Sequence, residues 1–202
     1  MIEPSLFAQG FDLIAGVDEA GRGACAGPLV AASVAIDKGS PLLQLGALDS
    51  KKLSPARREE LYDLIVNSCR AVHVIEISSL DIDRYGLQSM NISAMRRAVA
   101  GLNVDIDYLI SDGYPVTGLG MPTLAMFKGD SLSVAVGAAS IIAKVTRDRI
   151  MVQMEERFPG YGFASHKGYS CASHMKAIAD LGLTEIHRIS YRNVSELVKA
   201  KD

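Results

Sequence analysis

Residues 12–36 read DLIAGVDEAGRGACAGPLVAASVAI. A short apolar run, Asp12 to Asp18, ends in acid, and a second, Gly27 to Ile36, follows a glycine-rich turn. Runs of this length bounded by turn residues are strands, and the pair predicts a hairpin. Between them two adjacent acids, Asp18 and Glu19, lead straight into Gly21 and Gly23 flanking Arg22. Glycine lets a backbone approach a ligand closely, and an arginine there forks onto phosphate or positions the loop. Strand ends are where sites assemble in an α/β sheet, so this run places a candidate site before any other element is assigned.

Working outward, Ser54-Pro55 supplies an N-cap with proline at the first helical position, and Leu61, Leu64, Ile65 and Ser68 keep helical spacing. Ala71 to Ile77 (AVHVIEI) alternates like a third strand, and Leu87, Met90, Ala94, Ala98 and Leu102 mark a second helix, giving the order ββαβα. Tyr108 to Asp112 (YLISD) reads as a buried strand stopping at Gly113, and the Gly- and Pro-containing loop to Lys128 has room for one more short strand. From Ser131 a long helix carries Val134, Ala138, Ile141, Ile142 and Val145 on one face and ends at Pro159-Gly160; its small residues suit close packing on a sheet. The loop YGFASHKGYS, an amphipathic helix near Cys171 to Leu181 and a helical tail complete the chain. The pattern predicts an α/β fold in one domain, residues 1–202, with a C-terminal helical part from about residue 160.

Composition narrows the classes. Apolar residues make up 49% and charged residues 22% of 202, values of a globular rather than a disordered or fibrous chain. The net charge of −2 gives no global basic signal, so any nucleic-acid contact rests on local patches. Cys25, Cys69 and Cys171 form neither a CxxC pair nor a zinc spacing and read as reduced thiols. The N-terminus lacks a basic segment followed by an apolar run, and no stretch reaches membrane-spanning length, so a cytoplasmic enzyme with no membrane partner is expected.

Three acidic positions finish strands or precede helices: Asp18-Glu19, Asp112 and Asp130. Hard cations such as Mg²⁺ take oxygen ligands, and convergent carboxylates supply them; two such ions activate a water and stabilise a leaving oxygen in phosphodiester displacement. Taken singly, each acid has a plain alternative reading: Asp130 orienting toward a helix N-terminus, Asp112 forming a turn before Gly113, and Asp18-Glu19 standing in solvent.

At these residues the chain resembles the ribonuclease HII family. The resemblance runs in order through VDEAGRG (17–23), AGPLVAA (26–32), DSKKLS (49–54), SDG (111–113), KGD (128–130), GAASIIAKVTRD (137–148), YGFASHKGY (161–169) and IHRIS (186–190). It departs in VGAASI, where the family often has IAAASI, and at Tyr191, where phenylalanine is common. The resemblance implies a ribonuclease H-like mixed five-stranded sheet flanked by helices. Its implied activity is a metal-dependent endoribonuclease, a hydrolase using Mn²⁺ or Mg²⁺ on RNA·DNA hybrids and ribonucleotide-containing duplex DNA, acting as a monomer. By the same resemblance Asp18, Glu19, Asp112 and Asp130 are the catalytic metal ligands, Gly21, Arg22 and Gly23 surround the ribonucleotide 2′-hydroxyl, and Tyr169 senses the substrate. The sibling ribonuclease HIII carries an additional N-terminal domain, whereas here Met1 to Phe11 precede the first strand.

Basic residues outnumber acidic ones from residue 140 onward, and the reverse holds from 101 to 139. Ser140, Lys144 and Arg147 lie at helical spacing and read as a phosphate-positioning stripe or a solvated face. Lys51, Lys52, Lys167 and Arg188 are loop candidates for the same role, and His166, His174 and His187 read as loop or capping residues. Two other classes fit the architecture: a binding module without turnover, and another metal nuclease or phosphotransferase on this fold.

Overall fold

The computed structural model describes residues 1–46 and 48–199, so the last three residues of the expected domain lie outside it. Helix α1 (Glu3–Ala8) leads into β1 (Leu13–Ala20) and β2 (Leu29–Asp37). Then come α2 (Pro55–Ser68), β3 (Ala71–Ile77), α3 (Ser79–Tyr85), α4 (Leu87–Ala100), β4 (Tyr108–Asp112) and β5 (Thr123–Met126). Helices α5 (Val134–Arg157), α6 (Phe163–His166), α7 (Ala172–Leu181) and α8 (Arg192–Lys199) follow. The strands form one sheet in the order β3-β2-β1-β4-β5. β1 pairs antiparallel with β2 and β2 with β3, while β1–β4 and β4–β5 are parallel. The opening hairpin is as the sequence pattern predicts, and the mixed five-stranded sheet is as the family resemblance implies.

Alternation along the strands divides the apolar residues between two faces. Val30, Ala32, Val34 and Ile36 meet Leu61 and Ile65 of α2 and Ile141 and Ile142 of α5. Ala15, Val17, Leu29 and Ala31 meet Ala94, Met95 and Ala98 of α4 on the other side. The C-terminal part has its own cluster, in which Met151 packs with Tyr161, Phe163, Ala177 and Ile178.

Helix α5 lies on the sheet backbone to backbone. A Cβ on Gly16 of β1 would stand 2.1 Å from the carbonyl carbon of Ala135, so the small residues at the start of α5 set the depth of packing. The helix begins at Val134, three residues later than the sequence pattern predicts, because Gly129–Ser131 forms a 3₁₀ turn and Ser133 is the N-cap. Ser133 Oγ accepts from Val136 N at 3.2 Å, and Glu3 of α1 accepts from Ser133 Oγ at 2.6 Å and Ala135 N at 3.1 Å. The sequence reading omits α1, α3 and α6. A signal for α3 is present: Ser78 is its N-cap, with Oγ accepting from Asp81 N at 3.0 Å and donating to Asp81 Oδ2 at 2.7 Å.

Candidate active site

Register places the carboxylates. β1 and β4 run parallel with Val17 beside Ser111, so Asp18 and Asp112 follow on neighbouring strands at the same end of the sheet. Strand alternation then turns Asp18 and Glu19 to opposite faces. Asp18 meets Ser140 of α5, and Glu19 meets Asn91 of α4. The 3₁₀ turn after β5 brings in Asp130, and Gly129 N donates to Asp112 Oδ1 at 2.7 Å, tying that turn to β4.

Asp18, Glu19 and Asp112 line a cleft of about 350 Å³ with Gly21, Arg22, Gly23, Ser50, Lys51, Ser140, Lys144 and Tyr169. Asp130 stands at its edge, buried, with Lys51 Nζ 3.8 Å from its Oδ2. Burial, followed by the charges of Glu19 and Asp112, raises Asp18 well above the usual carboxylate range. Burial and then Asp112 push Glu19 up to about 7, with Arg22 and Asn91 pulling the other way. Asp112 is raised by burial and by Asp130, against the Gly129 amide and Lys51.

The donor set is oxygen only, crowded with negative charge, and Glu19 Oε2 is buried without a hydrogen-bond partner. Such a set suits a hard divalent cation, whose charge would remove the repulsion that raises these acids. Among the described residues no three His, Cys, Asp or Glu side chains already stand as a ligand cluster. The hydrogen bond from Gly129 holds Asp112, and Lys51 faces Asp130.

The glycine run forms a turn closed by Ala24 N donating to Gly21 O at 3.2 Å. Gly21 has φ +87°, and a Cβ there would meet Arg147 Nε at 1.9 Å, so glycine is required by the fold. Gly23 is different: the nearest atom to its Cβ position is Tyr169 Cε1 at 3.9 Å, and the space belongs to the cleft. Tyr169 is 40% exposed, with the Arg147 guanidinium 5.4 Å from its ring centroid. Arg22 reaches sideways, donating to Gln88 Oε1 at 3.0 Å and lying 4.8 Å over the Tyr114 ring.

Two basic residues depart from the sequence expectation. Arg188 is fully buried and donates to the carbonyls of Gly27 and Gly21, each at 2.8 Å, so it braces the turn and does not reach a phosphate. Arg147, expected on a phosphate stripe, is buried as well and donates to the carbonyls of Pro28, Ala26 and Lys167. The stripe reduces to Ser140, bonded to Ser50 Oγ at 2.9 Å, and half-buried Lys144, paired with Asp148. Burial lowers the Lys144 ammonium from its ordinary value. Sequence reasoning missed Asn91 and Arg58. Asn91 is buried in α4 beside Glu19, and Arg58 lines the cleft while donating to Leu53 O at 2.7 Å. Asn91 falls within the predicted α4 pattern, and a polar residue inside an apolar helical stripe is the signal that could have found it.

A family model described as Ribonuclease HII matches residues 15–194. Ribonuclease HII of Geotalea uraniireducens is 51% identical over 194 residues, covering 96% of this chain and 89% of its own. That of Cutibacterium acnes is 50% identical over 192 residues, covering 95% and 94%. Among solved structures, the ribonuclease H2 of Pyrococcus horikoshii superposes with a TM-score of 0.81 at 26% identity, covering 93% of this chain and 98% of its own. With the family motifs, the sheet topology and near-complete coverage in agreement, the chain belongs to the ribonuclease HII family and is a ribonuclease H, a hydrolase of nucleic acid.

Proposed function

We propose that the cleft hydrolyses the phosphodiester 5′ of a ribonucleotide, in RNA·DNA hybrids and in duplex DNA with embedded ribonucleotides, leaving 3′-hydroxyl and 5′-phosphate ends. The observation that carries this reading is the meeting of buried, mutually repelling carboxylates with a glycine turn and an exposed tyrosine in one cleft. Asp18, Glu19, Asp112 and Asp130 would hold Mg²⁺ or Mn²⁺, which when bound supplies an activated water and charge neutralisation at the scissile phosphate. The Gly21–Gly23 turn offers backbone groups where a Cβ-free surface faces the cleft, a route to reading the 2′-hydroxyl that separates a ribonucleotide from a deoxyribonucleotide. Tyr169 presents a ring edge beside that turn for stacking on the neighbouring sugar or base. Lys51 and Lys144, which line the same cleft as the acids, would meet phosphate oxygens. Arg188 holds the turn's carbonyls and so shapes this surface without contacting substrate.

The test is cleavage of a duplex bearing one ribonucleotide, with and without Mg²⁺ or Mn²⁺, by wild type and Asp130→Asn. Metal-dependent cutting 5′ of the ribonucleotide is expected, with Asp130→Asn losing turnover by roughly a hundredfold or more while duplex binding changes little. Undiminished cleavage in excess chelator, or wild-type rates for Asp130→Asn, would refute the four-carboxylate site.

A further inference from the structure

His166, His174 and His187 all fall within the C-terminal part and meet there, packed around Phe163. His174 and His187 are buried, and His166 stacks on His174 with ring centroids 4.4 Å apart. Their hydrogen bonds form a directed chain. At one end His174 Nδ1 is 3.0 Å from Tyr169 O; a carbonyl only accepts, so Nδ1 carries the proton. At the other end Thr184 N donates to His187 Nδ1 at 2.9 Å, so that nitrogen is bare. The two Nε2 atoms face each other at 3.2 Å, and the ends decide between them: His187 Nε2–H donates, and His174 Nε2 accepts.

We infer that His174 and His187 are positioning residues for Tyr169: a one-way hydrogen-bond chain from Thr184 through both imidazoles fixes the Tyr169 carbonyl and with it the pose of the ring beside the glycine turn. The inference rests on the role proposed above for Tyr169. The surrounding backbone shows why a grip at this point matters. Tyr169 N donates to His166 O at 2.9 Å, and the preceding Gly168 O accepts from Cys25 N at 3.0 Å and Ala26 N at 3.2 Å. One flank of Tyr169 is therefore bonded to the segment leaving the glycine turn, and its own carbonyl is held by His174 alone among the contacts described. Gly168 adopts φ +77°, and a Cβ there would stand 2.3 Å from Ala26 O, so the two segments are in register at close approach.

The chain works only with neutral rings. A proton added to His174 would put two N–H groups face to face across the Nε2 pair, and one added to His187 would oppose the Thr184 amide. The surroundings favour neutrality: burial and then His174 push His187 down to about 4, and burial holds His174 below its ordinary value. His166 completes the set, with Nε2–H donating to Tyr161 O at 2.8 Å and Nδ1 accepting from Gly168 N at 3.2 Å.

Two measurements test this. Nitrogen-15 NMR of the wild-type histidines at pH 7 is expected to show His174 as the Nδ1–H tautomer and His187 as the Nε2–H tautomer, both neutral. Either ring charged or in the opposite tautomer overturns the chain without reference to activity. The second compares His174→Leu, His174→Asn and Tyr169→Ala on a single-ribonucleotide duplex and on a long RNA·DNA hybrid. Leucine keeps the bulk and removes the donor, whereas asparagine can present an N–H where Nδ1 stands. His174→Leu is expected to lower kcat on the single-ribonucleotide duplex about tenfold with KM little changed, to cost the hybrid less, and to be largely rescued in His174→Asn. Equal loss on both substrates without rescue would mean that the ring only packs, and would overturn the inference. If Tyr169→Ala is impaired and folded His174→Leu is not, the chain fails while the reading of Tyr169 stands. If Tyr169→Ala itself cuts the single-ribonucleotide duplex at the wild-type rate, both fall.

Discussion

Gly21 and Gly23 are two residues apart and identical in sequence, yet the fold asks different things of them. Gly21 needs both its positive φ and its missing Cβ, because the Arg147 guanidinium occupies that space. Gly23 leaves its Cβ position open to the cleft. Gly21→Ala is therefore expected to destabilise the protein by on the order of 3 kcal/mol or more, combining a disfavoured backbone with overpacking. Gly23→Ala should melt like wild type and instead lose cleavage of the single-ribonucleotide duplex. Urea denaturation and cleavage assays on the pair separate the two effects; equal stability loss in both variants would contradict the difference in packing. Such distinctions mark the limit of what the residues disclose on their own. The acids were legible because strand ends and paired carboxylates are local patterns, and the structure brings Asp18, Glu19 and Asp112 into one cleft with Asp130 at its edge. Arg147 and Arg188 were misread because a basic side chain in sequence carries no mark of burial. Apart from Lys167 O, the carbonyls they hold are more than a hundred residues away. The histidines were likewise read singly as loop or capping residues, since their mutual contacts exist only after the C-terminal part has folded back.

At the scale of elements, the apolar runs and periodicity found the first four strands and the long helices, since each pattern is contained within its own segment, while β5 was only allowed for within the loop before Lys128. It omitted α1, whose reason for being helical lies elsewhere: Pro4 sits in its first turn, and Glu3 serves α5. Glu3 is fully buried and accepts from Ser133 Oγ and Ala135 N, so it joins the N-cap of α5 in satisfying that helix's first turn. Ile2 N donating to Leu132 O at 3.1 Å adds a second tie between the N-terminal segment and the turn that carries Asp130. Glu3→Ala is expected to cost about 2–3 kcal/mol, the scale of a buried cap bonded to a carboxylate, whereas Glu3→Gln keeps an acceptor and should cost less. Thermal or urea melts decide the point. A Glu3→Ala variant as stable as wild type would show that α5 starts equally well without α1.

The molecule as a whole combines two buried titrations of opposite sign, and their competition sets its response to acid. In metal-free protein Glu19 is raised from 4.5 to about 7, chiefly by burial, and Asp18 is raised in the same direction. A carboxyl raised in the fold opposes folding at high pH, and that penalty is relieved as pH falls from about 7 toward 4.5. His187 is lowered from 6.5 to about 4, again chiefly by burial. Its contribution is complete above 6.5 and is lost as pH falls toward 4, because the unfolded chain takes up the proton first. At 1.36 kcal/mol per unit, the displacement of Glu19 and that of His187 each amount to about 3 kcal/mol at the limit. Three raised carboxyls, Asp18, Glu19 and Asp112, oppose two lowered imidazoles, His174 and His187, so wild-type stability in chelator is expected to hold or rise between pH 7 and pH 5. Neutralising two of the acids in Asp18→Asn/Glu19→Gln removes most of the compensating part, leaving only Asp112 against the histidine limb. That variant should lose about 2 kcal/mol over the same interval, the value for an unfolded-state histidine at 6.5 titrated down to pH 5. Urea denaturation in chelator at constant ionic strength measures both curves; if the variant's stability falls no more steeply than the wild type's, the carboxyls are not the compensating groups.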